Sequence, residues 1–166
     1  MGCSWCDSRF SWNPMLHPVV STKDIIKRVI ASGTDSVVVT GGEPLMWNLG
    51  YLCNGLKKNG ISTYIETSGA YPLSGEWDWI CLSPKRNMPP VRDICKVADE
   101  LKVIIEEKND LNWAEKYRKM VSRNCRLFLQ PEWSRFEDII PEIVEYVKKN
   151  NYWKISLQVH KYMHIP

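Results

Sequence analysis

The chain has 166 residues, 44% hydrophobic and 25% charged, with a net charge of +3. This composition is typical of one globular domain, so we expect residues 1–166 to form a single core domain. The small charge does not favour nucleic-acid binding, and no apolar run approaches the roughly 20 residues that span a bilayer. No secretory pattern opens the chain, so we expect a cytoplasmic protein that binds neither nucleic acid nor membrane.

Helical and strand patterns alternate after residue 20. Ser21 and Asp24 are typical of a helix start, and apolar residues follow them at helical spacing. Further helices are predicted from 49 to a stop at 59–60, over 112–121 and over 136–149. Short apolar or β-branched runs predict strands at 36–40, 62–67, 79–83, 101–105 and 126–130, and a last strand in which Ile155, Leu157 and Val159 alternate.

This alternation predicts an α/β fold with a parallel sheet and helices packed outside it. About six strands suit an open sheet or a partial (β/α) barrel better than a closed eight-stranded barrel. In such folds the chemistry collects at the carboxyl ends of the strands.

Four polar turns fall at predicted strand ends, at 40–43, 66–69, 83–85 and 130–133. Because parallel strands end on one rim, we expect the four turns to form one site. Three of these turns also have a plainer interpretation when taken alone. Glu43 could simply favour a helix dipole, Glu66 and Thr67 could end a strand, and Ser83-Pro84-Lys85 could be a solvated turn. We also expect Pro44 to start the next helix.

The cysteines divide into one pair and four isolated residues. Cys3 and Cys6 form a C-x-x-C turn, which can hold an iron–sulfur cluster, bind zinc, exchange thiols or have no function. Zinc would need two further ligands, and only His17 lies near in sequence. The four isolated cysteines are predicted to be small buried side chains, at Cys53, Cys81, Cys95 and Cys125. His160 and His164 are interpreted as part of a tail rather than as a metal site.

Five segments together resemble the 7-carboxy-7-deazaguanine synthase family of radical S-adenosylmethionine enzymes. They are Cys-Ser-Trp-Cys-Asp-Ser-Arg-Phe-Ser-Trp at 3–12, Val-Thr-Gly-Gly-Glu-Pro-Leu at 39–45, Ile-Glu-Thr-Ser-Gly at 65–69, Leu-Ser-Pro-Lys at 82–85 and Gln-Pro-Glu-Trp at 130–133. They occur in the family's order, and the resemblance runs from residue 2 to residue 166. It implies the partial barrel of radical S-adenosylmethionine enzymes.

The resemblance also implies roles for individual residues. Cys3 and Cys6 match the second and third thiolate ligands of a 4Fe–4S cluster, and Ser8 matches a Mg²⁺ ligand. Thr40 and the terminal carboxylate of Pro166 match substrate contacts. The positions that match S-adenosylmethionine contacts are Trp5, Cys6, Asp7, Gly42, Glu43, Ser83, Pro84, Lys85, Gln130, Pro131, Glu132 and Trp133.

The reaction that the resemblance implies converts 6-carboxy-5,6,7,8-tetrahydropterin to 7-carboxy-7-deazaguanine with loss of ammonia, in queuosine and 7-deazapurine biosynthesis. A radical from S-adenosylmethionine starts it, so no side chain is expected to be the catalyst. The resemblance further implies a flavodoxin-type or other one-electron reductant and a homodimer.

The chain departs from the family pattern at its start. The first cluster cysteine would fall four residues before Cys3, ahead of Met1, together with a first strand and a substrate-contacting arginine. We therefore expect a barrel that lacks its first strand, and weak or no activity from the chain as printed. Two alternatives are a radical S-adenosylmethionine activase and a non-catalytic metal-binding α/β fragment.

Overall fold

A computed structural model describes Cys6 and residues 13–165 of the chain. Six parallel strands form one sheet in sequence order. The strands are β1 (Ser36–Val39), β2 (Ser62–Thr67), β3 (Trp79–Leu82), β4 (Glu100–Ile105), β5 (Arg126–Pro131) and β6 (Trp153–Ile155). The helices are α1 (Thr22–Ala31), α2 (Gly50–Lys57), α3 (Arg92–Val97), α4 (Asp110–Arg118), α5 (Phe136–Lys149) and α6 (Val159–Tyr162).

The sheet is open. Each strand pairs with the next one along the chain, which places β1 and β6 at opposite edges, and no ladder joins these two edges within residues 13–165. The predicted open parallel sheet with about six strands is therefore confirmed.

The two faces of the sheet differ in polarity. Burial alternates along β2 and β4, so that Leu101, Val103 and Ile105 are fully buried while Lys102 and Ile104 are half-buried. The buried face packs against α3, α4 and α5 in one hydrophobic core. A parallel sheet is ordinarily apolar on both faces, so the polar second face marks the side where a ligand cavity lies.

The predicted last strand is wrong beyond its first residue. β6 ends at Ile155, Leu157 lies in a loop, and Val159 begins α6. The ladder stops after the amide of Ser156 donates to the carbonyl of Leu129 at 2.9 Å. The partner strand continues into Pro131, which has no N–H to extend the ladder.

Two helix predictions also need correction, and one helix was not predicted. Pro44 does not start α2, because Pro44–Met46 is a separate 3-10 turn and α2 begins only at Gly50. α4 begins at Asp110 and ends at Arg118, two and three residues before the predicted bounds. α3 has six residues, too few for its periodicity to be recognised in the sequence.

Among the described residues, no helix combines the length and apolar character that a membrane span requires.

Candidate active site

The carboxyl ends of the strands surround a cavity of about 410 Å³. Each of the four predicted polar turns contributes to its lining, as the parallel topology requires. The predicted site residues that line it are Cys6, Thr40, Gly42, Glu43, Ser83, Lys85, Gln130, Pro131, Glu132 and Trp133.

The remaining predicted site residues are placed differently. Pro84 is fully buried and is not among the lining residues. Cys3, Trp5, Asp7, Ser8 and Pro166 lie outside the described residues. Proximity to one cavity does not assign a ligand to a side chain, so the individual roles stay predictions.

The turn after β1 is fixed by Glu43, which is only 6% exposed. Its Oε1 accepts hydrogen bonds from the amide of Leu45 at 3.1 Å and from the hydroxyl of Thr67 at 2.5 Å. Its Oε2 accepts from the amide and the hydroxyl of Ser68, at 2.8 and 2.5 Å. Four donors therefore satisfy a buried carboxylate that would otherwise be costly.

The turn after β3 is buried at Ser83 and Pro84, and the Lys85 ammonium donates to the Ser83 hydroxyl at 2.8 Å. Arg86 pairs with Asp110, a carboxylate that is only 4% exposed at the start of α4. Asp110 also accepts from the amides of residues 106 and 107, at 2.8 and 3.0 Å. The turn is thus anchored to α4, and it is not the solvated turn of the plainer interpretation.

The turn after β5 is organised by Glu132, which is 5% exposed. Its carboxylate accepts from the amide and hydroxyl of Ser134 at 3.1 and 2.5 Å and from the amide of Arg135 at 3.1 Å. Trp133 packs edge-to-face on Tyr162 of α6, with ring centroids 5.2 Å apart. This packing holds the carboxyl-terminal segment beside the cavity.

Several cavity residues were not assigned to the site from the sequence. One is Lys102, which donates at 2.6 Å to Glu66 of the predicted turn at 66–69; both side chains line the cavity. Gln158 and Lys161 line it from the segment after β6, and so does His160, which was interpreted as part of a tail. Lys102 carried a usable signal, since a lysine between two buried residues of a parallel strand indicates a polar sheet face.

The isolated cysteines behave as predicted. Cys53, Cys81, Cys95 and Cys125 are all buried. Burial raises the pKa of each of these thiols, that of Cys125 to about 12, so they remain protonated near neutral pH. Of the five described cysteines, only Cys6 lines the cavity.

The described residues hold no group of three or more histidine, cysteine or acidic side chains suited to a metal ion. Cys6 is half-buried at the cavity, whereas its partner Cys3 lies outside the described part of the chain. A partly accessible thiol at the cavity is the donor that an iron–sulfur cluster requires. The described end of the cysteine loop therefore fits a cluster ligand.

The open parallel sheet, the polar strand ends and the cysteine at the cavity fit a partial-barrel α/β enzyme of the radical S-adenosylmethionine type. The chain is 49% identical, over all of its 166 residues, to the 7-carboxy-7-deazaguanine synthase of Flavobacterium psychrophilum and spans 79% of that protein. It is 42% identical over 161 residues to the protein of that name from Synechocystis, covering 97% of this chain and 77% of that one.

A crystal structure of QueE from Escherichia coli superposes with a TM-score of 0.80 and 27% identity, covering 95% of this chain and 80% of that one. No protein-family model matches the chain. At these identities and coverages the chain belongs to the 7-carboxy-7-deazaguanine synthase family of radical S-adenosylmethionine lyases. The predicted family and fold are confirmed, and neither alternative class is favoured.

Proposed function

We propose that this protein converts 6-carboxy-5,6,7,8-tetrahydropterin to 7-carboxy-7-deazaguanine with loss of ammonia, in queuosine and 7-deazapurine biosynthesis. One observation carries the proposal. A chain 49% identical to a 7-carboxy-7-deazaguanine synthase brings its family-like turns together around one cavity of about 410 Å³. That volume falls within the range of ordinary small-molecule sites.

The proposed cofactors are a 4Fe–4S cluster and S-adenosylmethionine, with Mg²⁺ as a further ion. Cys3 and Cys6 would hold the cluster, and Ser8 would contribute an oxygen to Mg²⁺. When bound, the cluster and S-adenosylmethionine supply the radical that starts the reaction. The protein itself has to bind, orient and shield the reactants.

The proposed S-adenosylmethionine site uses the turns at the carboxyl ends of the strands. Gly41 has a φ of +134°, which favours glycine, and a Cβ at Gly42 would meet nothing within 4 Å. The backbone of this turn therefore leaves room for a ligand to approach closely. Ser83 and Lys85 offer polar contacts, while Glu43 acts through the backbone that it fixes, since its carboxylate already accepts four hydrogen bonds.

The other proposed contacts complete the site. Trp5, Cys6 and Asp7 would contact S-adenosylmethionine from the cysteine loop. Pro84 and the segment 130–133 would shape its pocket, and Trp133, a residue that is 38% exposed, supplies an aromatic ring. Thr40 and the carboxylate of Pro166 would contact the pterin. We also propose a flavodoxin-type or other one-electron reductant, a homodimer and a cytoplasmic location.

The test is anaerobic cluster reconstitution followed by turnover of the pterin, with product and ammonia both quantified. The assay is run on the 166-residue chain and on a chain lengthened upstream to carry a cysteine four residues before Cys3, because the cluster pattern contains three thiolates. Product from either chain supports the proposal. A lengthened chain that holds the cluster and cleaves S-adenosylmethionine without converting the pterin contradicts it.

Matched cysteine variants connect the activity to the proposed cluster. Cys6→Ala is expected to lose the cluster's visible absorbance and the product together. Cys125→Ala, which removes a buried thiol outside the cavity lining, is expected to keep both.

A further inference from the structure

The three glutamates that line the cavity differ in how many of their acceptor sites the protein uses. Glu43 accepts four hydrogen bonds and Glu132 accepts three, and both are buried. Glu66 accepts one, from Lys102 to its Oε1, and its side chain is 43% exposed. Within the described residues, no donor reaches Oε2 of Glu66. Of the three carboxylates, Glu66 is therefore the one that a ligand can use.

Lys102 reaches Glu66 across the polar face of the sheet. Glu66 pairs with Cys81 of β3, and Cys81 pairs with Glu100 of β4, two residues before Lys102. The Lys102 side chain is only 14% exposed, and its Nζ lies 2.6 Å from Oε1 of Glu66. One ammonium thus fixes one oxygen of a carboxylate at the cavity, and among the described residues the other oxygen has no donor.

The charge state of Lys102 suits this arrangement. Burial alone would lower the pKa of the ammonium, but the neighbouring carboxylates of Glu66 and Glu100 outweigh burial and raise it. The Lys102 ammonium therefore stays charged near neutral pH. Removing one member would leave the other charge without its partner in a partly desolvated place.

We propose that Lys102 is a positioning residue, which holds Glu66 so that its Oε2 accepts a hydrogen bond from an N–H donor of a bound ligand. Two reactants of the proposed function offer such donors: the amino-pyrimidine edge of the pterin and the ammonium of S-adenosylmethionine. The assignment rests on the proposed function for the identity of these ligands. Either donor would make a strong charge-assisted hydrogen bond to a carboxylate.

The experiment measures equilibrium Kd values for the pterin and for S-adenosylmethionine, on reconstituted anaerobic protein without reductant. Lys102→Met is expected to weaken one of the two ligands about tenfold and to leave the other within about threefold. Lys102→Arg, which keeps a donor to Glu66, is expected to stay within about threefold for both. Lys154→Met is the matched control. Phe128 of β5 pairs with Lys102 on one side and with Lys154 on the other, so the two lysines lie in register across the sheet. Lys154, however, is exposed and does not line the cavity.

A double-mutant cycle separates positioning from direct contact or from general support of the fold. If Lys102 acts only through Glu66, Lys102→Met will add nothing to the Kd of the Glu66→Gln variant. The double variant also carries no unpaired charge, so it stays informative if Lys102→Met alone unfolds. Additive losses in the cycle, or unchanged Kd values for both ligands, would overturn the proposal.

Measuring the Kd of the pterin and the Kd of S-adenosylmethionine separately also distinguishes a failure of this proposal from a failure of the proposed function. A weakening confined to the pterin assigns Oε2 to the amino-pyrimidine, and one confined to S-adenosylmethionine assigns it to the ammonium. If the wild-type chain binds S-adenosylmethionine but not the pterin, the proposed function fails. The Kd values for S-adenosylmethionine then still decide the role of Lys102.

Discussion

Glu43 and Ser68 are joined by two hydrogen bonds to one oxygen, since Oε2 accepts from both the amide and the hydroxyl of Ser68. The residues are 25 positions apart in the chain and belong to the turns that follow β1 and β2. One buried carboxylate therefore fixes two neighbouring turns at the cavity relative to each other. The same carboxylate accepts from Thr67 and Leu45, so its loss affects both turns at once.

Glu43→Gln is expected to destabilise the protein by about 2 kcal/mol, because an amide group would face donors that now meet a carboxylate. Urea unfolding measures the change. Glu76→Gln is the matched control, because the Glu76 side chain is 82% exposed and its Oε2 makes only a surface ion pair, 3.8 Å from Nζ of Lys57. This substitution should change the free energy of unfolding by less than about 0.5 kcal/mol. Equal effects of the two substitutions would contradict the role given to Glu43.

Gly69 is predicted to reject any side chain. Its φ is +72°, and an added Cβ would lie 2.6 Å from Cδ1 of Leu82 and 2.8 Å from Cγ2 of Ile94. Gly60 has the same φ of +72° but nothing within 4 Å. Gly60→Ala should therefore cost about 1 kcal/mol from backbone strain alone, and Gly69→Ala about 3 kcal/mol from strain and overpacking together. Urea unfolding of both variants tests the difference, and comparable losses would contradict it.

Arg86 should contribute to cofactor binding through the turn that it anchors. Arg86→Met removes the tie from this turn to Asp110, so Lys85 loses part of its fixed position beside the cavity. We expect the Kd for S-adenosylmethionine to rise about fivefold. Stability should also fall, by about 1 to 3 kcal/mol, because the buried Asp110 carboxylate keeps its two amide donors but loses the Arg86 cation. Arg92→Met, at an exposed position, is the control, and an unchanged Kd for Arg86→Met would sink the prediction.

The sequence predicts the first five strands well because each is a short apolar or β-branched run, such as 101–105, and such runs can be recognised from neighbouring residues alone. It does not predict the partner of Lys102, since Glu66 is 36 residues away and the contact depends on the order of the strands. The alternation of Ile155 with Leu157 misleads for a related reason. Whether a strand continues depends on a neighbour that can donate, and Pro131 cannot.

Glu115 should make stability depend on pH in the acid range. Its Oε1 accepts from the Trp153 indole at 2.7 Å and from the Tyr146 hydroxyl at 2.9 Å, while its Oε2 accepts from Arg118 at 2.6 Å. Burial alone would raise the pKa of Glu115, but these hydrogen bonds outweigh burial and hold the pKa below its ordinary value of 4.5. The folded carboxylate is therefore more acidic than the unfolded one.

A carboxylate with a lowered folded pKa stabilises the protein above its unfolded pKa, and this contribution is lost as pH falls through the folded value. The free energy of unfolding should therefore decrease below pH 4.5 in the wild type more than in Glu115→Gln. The difference in the free energy of unfolding between wild type and Glu115→Gln should be largest near neutral pH and should become smaller as the pH falls. Urea unfolding at a series of pH values measures this difference. A difference that stays constant or grows as the pH falls would exclude the predicted role of the Glu115 charge.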